Sequence, residues 1–264
     1  MDFTFKKYEE LCRIISRPGY KNLTLEEYLR KPQKNKFIIL RHDVDKKPKN
    51  ALEIAKIEKK YGLKSTFYFR MKTFDKEIMK EIKRLGHEIG YHYECLDEAD
   101  GDYQKALEIF EKNIEKFRDF DVKTIAMHGG IRIQDFLPRW KNKDKWKNRD
   151  LWNKNKCKYD FKKFGIIGEP YLSIDYSGVS RPEYLSDTSR SWNLKYKVKD
   201  FPDNYKPRVK IKKTDELIGF IKKGDMSMCI LAHPDKWNNC IFPWFKELIF
   251  QNSKNMVKLF LNKC

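Results

Sequence analysis

FIILRHDVDKKPKNALEIAKIEKKYGLKSTFYFR, residues 37–70, reads as strand, helix, strand. An apolar run leads into RHDVD, NALEIAKIEKKYG repeats its apolar residues at helical spacing and stops at Gly62, and STFYFR returns to aromatic and β-branched residues. A helix between two such strands requires a parallel crossover. The rhythm continues with DKEIMKEIKRLG (75–86) as helix, HEIGYHY (87–93) as strand, DYQKALEIFEKNIEKFRDF (102–120) as helix and VKTIAMHGG (122–130) as strand. It then breaks into a segment rich in Trp, Lys, Asn and Asp, which runs to about residue 163 and is followed by short β-like pieces such as FGIIGEPYLSID and RPEYLSD. TDELIGFIKKG, MSMCILAHPD and a last helix from residue 241 restore the alternation. Strands alternating with helices over this length predict an α/β fold, either a (β/α) barrel or a doubly wound sheet. The expected organisation is a helical extension over residues 1–36 and one domain over 37–264, with an elaborated Trp/Lys-rich insertion.

A chain of 264 residues with 40% hydrophobic and 14% aromatic content can bury a large core. The first thirty residues carry charges throughout and lack the apolar stretch of a secretory signal, so the expected address is the cytoplasm. No run approaches the length of a membrane span. Six cysteines fall without any CxxC spacing, which argues for reduced, mostly buried thiols. The net charge of +19 raises nucleic acid, an anionic membrane surface or an acidic polymer as partners. Lysines interleaved with acids along the helices read instead as a solvated face, so nucleic acid is not the expected partner, and the Lys/Glu balance matches a protein from a hot environment. Trp140, Trp146 and Trp152 lie near or within the basic cluster Lys141 to Lys163, which is expected to cover the active site.

All five histidines sit at strand ends or their flanks: His42, His87, His92, His128 and His233. Residues delivered to the carboxyl ends of parallel strands are the usual material of an active site. In RHDVD, Arg41, Asp43 and Asp45 share one face because side chains alternate along a strand. One carboxylate can ligate a divalent cation while the other takes a proton from water. The competing role for Asp45 is as a helix N-cap ahead of Pro48, although Asn50 would serve about as well. His92 ends its strand and reaches the mouth, whereas His87 begins it and is expected to be structural. Glu94 is a reserve ligand on the His92 face. Beside His128, Gly129 lets the backbone approach a substrate closely and offers an amide to an oxyanion. His233 is placed to protonate a leaving group.

RHDVD, GHEIGYHYE and ILAHPD together resemble the motifs of the polysaccharide deacetylase superfamily, the NodB-homology domain, over roughly residues 37 to 235. The resemblance implies a distorted (β/α) barrel that removes acetyl groups from N-acetylated or O-acetylated sugars with a bound divalent metal. It implies Asp43 as base, Asp45 and His92 as metal ligands, and His233 as acid. The family's second metal histidine would fall on Leu96, which cannot ligate, and its arginine-proline motif is replaced by MHGG. Either His128 or Glu94 repairs the ligand set, or the metal is lost. His128 is preferred, as a neutral nitrogen donor that suits zinc, with cobalt, nickel or manganese as alternatives. By position, Asp187 and Arg190 are expected to clamp the sugar and Trp192 to stack on it, or else Asp187 and Arg190 form a surface ion pair.

The function expected from the sequence is therefore deacetylation of a nucleotide-linked or lipid-linked sugar or of a cytosolic oligosaccharide. Hydrolysis of another linear amide would use the same machinery. A catalytically silent barrel that binds anionic polymer is the rival from a different class.

Overall fold

A computed structural model describes residues 1–129, 146–192, 201–203 and 205–261. Among these, seven strands form one sheet in which every pairing is parallel: β1 (Lys21–Leu23), β2 (Phe37–Val44), β3 (Thr66–Phe69), β4 (Glu88–Tyr93), β5 (Ile125–Met127), β6 (Glu183–Ser186) and β7 (Met228–Ala232). The order is β5-β4-β3-β2-β7-β6, with β1 beside the first residues of β2. The sheet curls into a half-barrel, an arrangement compatible with a distorted (β/α) barrel. Helices Pro48–Lys60, Lys76–Arg84, Tyr103–Glu115 and Thr214–Lys223 provide crossovers between successive strands.

β2 is the axis of the molecule. All eight of its residues are buried, because β3 and β7 flank it and both of its faces are covered. On the helix side lies His42. Its Nε2 is 2.8 Å from Glu58 Oε1, which also accepts from Tyr8 at 2.5 Å, while Glu58 Oε2 accepts from Ser65 Oγ at 2.5 Å. Burial pushes the Glu58 carboxyl up, but His42, His87 and the Ser65 hydroxyl outweigh it and hold the group at about 2. Glu58 thereby ties the N-terminal helix Phe5–Ile15, through Tyr8, to the centre of the sheet. Residues 1–36 thus share the core of the domain and also supply β1. His87 belongs to this buried group as well, accepting from the Ser65 N–H at 3.2 Å with its Nε2 3.1 Å from the Ala55 carbonyl.

The interior face is layered. Near the amino ends of the strands, Thr66 donates to Glu88 at 2.7 Å, and Thr124 bonds both Glu88 and the Tyr68 hydroxyl. Above them the Tyr68 ring lies under the Arg41 guanidinium, 5.4 Å from centroid to carbon. Tyr68 fits only because position 90 is glycine: a Cβ there would stand 2.4 Å from the ring and 2.8 Å from the Thr124 carbonyl. The next residues up each strand form the mouth.

Candidate metal centre

Strand register decides which side chains meet. Asp43 pairs with Tyr68 and His92 with Ala126. Continued one or two residues, the register puts His233 beside Asp43, Arg70 beside His92, and His128 beside Glu94. Asp45 lies one pleat beyond Asp43 on the same face.

Asp45, His92 and His128 each present a ligand atom, and the three atoms lie within 4.8 Å of one another. Asp45 Oδ1 is 3.4 Å from His92 Nε2 and 3.6 Å from His128 Nε2. His92 Nδ1 is 2.9 Å from the Ala126 carbonyl, which can only accept, so the proton of the neutral ring sits on Nδ1 and the Nε2 lone pair faces the carboxylate. Two lone-pair atoms turned toward each other repel unless a cation or proton stands between them. Asp45 Oδ1 is also buried and makes no hydrogen bond. An orphaned carboxylate oxygen beside two imidazole nitrogens is a donor set that could hold a metal ion.

The charges around the triad are organised. Burial pushes the Asp45 carboxyl up, but the fields of His128, His92 and His233 hold it well below the usual carboxylate range. For His128, burial and Arg70 lower its affinity for a proton, and Asp45 and Glu94 more than restore it. His128 Nδ1 lies 3.2 Å from Glu94 Oε2, close enough for an electrostatic contact though not aligned as a hydrogen bond. Glu94 is itself clamped by Arg70 Nη2, which reaches both carboxylate oxygens at 2.7 Å. From the other side, Asn148 donates to the His128 carbonyl at 2.8 Å.

Asp43 stands beside the triad, 3.6 Å from His92 Nε2. Both of its oxygens accept from Arg41 Nη2, at 2.9 and 2.8 Å. Burial raises its carboxyl, and Arg41, His92 and His233 together bring it below its ordinary value. His233 follows β7 and is gripped by Asp187. One carboxylate accepts from the His233 backbone N–H, from His233 Nδ1 at 2.6 Å and from Trp237 Nε1 at 2.9 Å. Burial and Lys236 pull His233 down, but Asp187 wins and its imidazole is raised above its ordinary value.

Several sequence expectations are corrected here. Asp187 is fully buried behind His233 and holds that ring instead of facing a cleft. Arg190 is also buried. Its guanidinium lies 4.6 Å from the Trp244 ring and donates to the Trp244 carbonyl, so it neither clamps a sugar nor pairs with Asp187 at the surface. Trp192 is 1% exposed, stacks near Phe3 and donates to Thr214 Oγ1, leaving no free face for a saccharide. The competing role for Asp45, as cap of the following helix, is not the one it takes. The cap position is Lys47, without a side-chain hydrogen bond, and Asn50 reaches instead to the carbonyls of Pro234 and Trp237. Trp152 is buried against Tyr93 and Phe110, and Trp146 donates to Asp97, so both rings are held in packing. Trp140 and Gly130 lie outside the described residues. Gly129 follows His128 and is partly buried.

The sequence reading missed Arg70 and Asn148, and it left Arg41 without a role. The i, i+2 spacing of Arg41 and Asp43 on one strand face was the available signal for that pair. Arg70 and Glu94 lie on different strands, and only the register joins them.

No family model, curated protein or solved structure matches this chain.

Proposed function

We propose that this protein is a metal-dependent hydrolase of the polysaccharide deacetylase type, which removes an acetyl group from an N-acetylated or O-acetylated saccharide. The observation that supports this reading is a single mouth where Asp45, His92 and His128 converge between an ionised Asp43 and an Asp187-held His233. Asp45, His92 and His128 would hold a zinc ion, or cobalt, nickel or manganese in its place, which would supply Lewis acidity toward the acyl carbonyl and toward water. Asp43, kept ionised by Arg41, accepts a proton from the attacking water. His233 carries a proton on the nitrogen not held by Asp187 and delivers it to the departing amine or alcohol. The backbone amide of Gly129, next to His128, is the candidate donor to the oxyanion.

Elemental analysis of the protein purified without chelator, together with its His92→Ala variant, tests the first half of the reading. The expected result is near-stoichiometric divalent metal in the wild type and almost none in the variant. Release of acetate from acetylated saccharides, compared with a panel of small linear amides, tests the second. A wild-type protein that stays empty after incubation with each of the four metals refutes the mechanism.

A further inference from the structure

The helix Ile241–Leu261 closes the described chain, and its inner face is pinned. Trp244 Nε1 donates to the Asp2 carbonyl at 2.8 Å, and the Trp244 carbonyl accepts from Arg190 at 2.7 Å beneath the guanidinium that covers its ring. Gln251, two turns on, is buried on the same side. With that face fixed, the opposite one is turned outward. Phe242 is 89% exposed, and Phe245 and Ile249, at i+3 and i+7, are each 54% exposed. Three large apolar side chains on one stripe of one helix form a patch, unlike the scattered exposed apolar residues of any surface.

Charge selects what meets this patch. Exposed Lys246 lies within the stripe, and the sequence of the helix carries Lys246, Lys254 and Lys258 against the single acid Glu247. The whole chain has a net charge of +19. Two copies of so basic a protein repel each other at close range, which disfavours a second copy as the occupant. An aromatic stripe accompanied by lysines, on a protein of high positive charge, fits the interface of an anionic lipid bilayer, where rings sink below the headgroups and ammonium groups stay among them. Among the described residues no helix is long and apolar enough to cross a membrane, so such a helix would lie on the surface.

We propose that the helix Ile241–Leu261 docks the protein on anionic lipid surfaces through Phe242, Phe245 and Ile249, with Lys246 among the headgroups. This docking does not depend on the hydrolase reading, because none of these residues belongs to the mouth.

Co-sedimentation of the full chain with phosphatidylglycerol vesicles and with phosphatidylcholine vesicles tests it. The expected result is binding to phosphatidylglycerol that weakens as salt is raised, with little binding to phosphatidylcholine. The triple variant Phe242→Ser, Phe245→Ser, Ile249→Ser is expected to lose at least ~100-fold in partition. Lys246→Gln, which removes one charge and leaves the apolar stripe intact, is expected to weaken binding about five-fold. Wild-type protein that stays in the supernatant with both lipids overturns the proposal. So does a wild type that forms dimers in sedimentation velocity where the triple variant is monomeric, since the face would then belong to a second copy. His92→Ala should bind vesicles like the wild type, which separates failure of docking from failure of the metal centre.

Discussion

Replacing Glu58 by glutamine should remove a measurable part of the pH dependence of stability. The Glu58 carboxyl is fully buried and is held at about 2, against an ordinary value of 4.5, by His42, His87 and Ser65. A carboxyl lowered on folding stabilises the native state in its ionised form. That contribution is complete above the unfolded value of 4.5 and is lost as pH falls through 4.5 toward 2. A gap of this size corresponds to about 3 kcal/mol, a large share of the stability of a typical domain. The glutamine side chain keeps the shape, but its single carbonyl oxygen can accept from Tyr8 or from Ser65 and not from both, so the charge and one of these hydrogen bonds are removed together. Urea denaturation of both proteins at several pH values between neutrality and about 3 gives the comparison. The wild type should lose stability more steeply than Glu58→Gln across the acid range, and at neutral pH the variant should be weaker by roughly 2–4 kcal/mol. Parallel curves would refute the argument, because they would mean that Glu58 has the same proton affinity folded and unfolded.

The mouth supports further expectations. Glu94→Gln leaves Arg70 buried with a neutral partner and removes the charge beside His128, so zinc affinity should fall about 10–100-fold, as read by competition with a chromophoric chelator. Asp187→Asn should leave metal content unchanged but lower the titration midpoint of His233 in NMR, since burial and Lys236 then act without the opposing carboxylate; turnover, once a substrate is in hand, should drop about 10²–10⁴-fold. Gly90→Ala drives a methyl group into the Tyr68 ring and the Thr124 carbonyl, and thermal unfolding should report a loss of about 1–3 kcal/mol.

How much of this could be read beforehand follows the range of the interactions. The alternation of strand and helix is a local pattern, and it foretold the parallel sheet. The parity of side chains along a strand is equally local, and it correctly put Arg41, Asp43 and Asp45 on one face of β2 and its continuation. The surroundings of β6 and β7 were not local. Asp187 and His233 are 46 residues apart in sequence, and Arg190 meets Trp244 across 54. Polar residues near a suspected site looked like substrate contacts until the fold showed them pairing with other protein groups. Asp187, Arg190 and Trp192 are charged or aromatic and fall near the chemistry, yet each is buried because a partner from a distant segment reaches it first.

On the metal-centre reading proposed above, position 96 offers no third donor and position 128 does. After β4 the chain turns at once into the short helix Cys95–Glu98, and Leu96 is fully buried in the core there. A histidine at position 96 would have to leave that apolar packing before it could reach Asp45. Position 128 needs no such movement. His128 follows β5, which pairs directly with β4, and it falls on the His92 face because His92 is in register with Ala126 and side chains two residues apart share a face. The resulting ring contact is edge to face, with centroids 5.3 Å apart. The same register brings Glu94 beside His128, where Arg70 keeps its carboxylate occupied. Glu94 and Asn148 both reach His128, and Arg70 fixes Glu94 in turn, whereas Leu96 is an apolar side chain buried in the hydrophobic core.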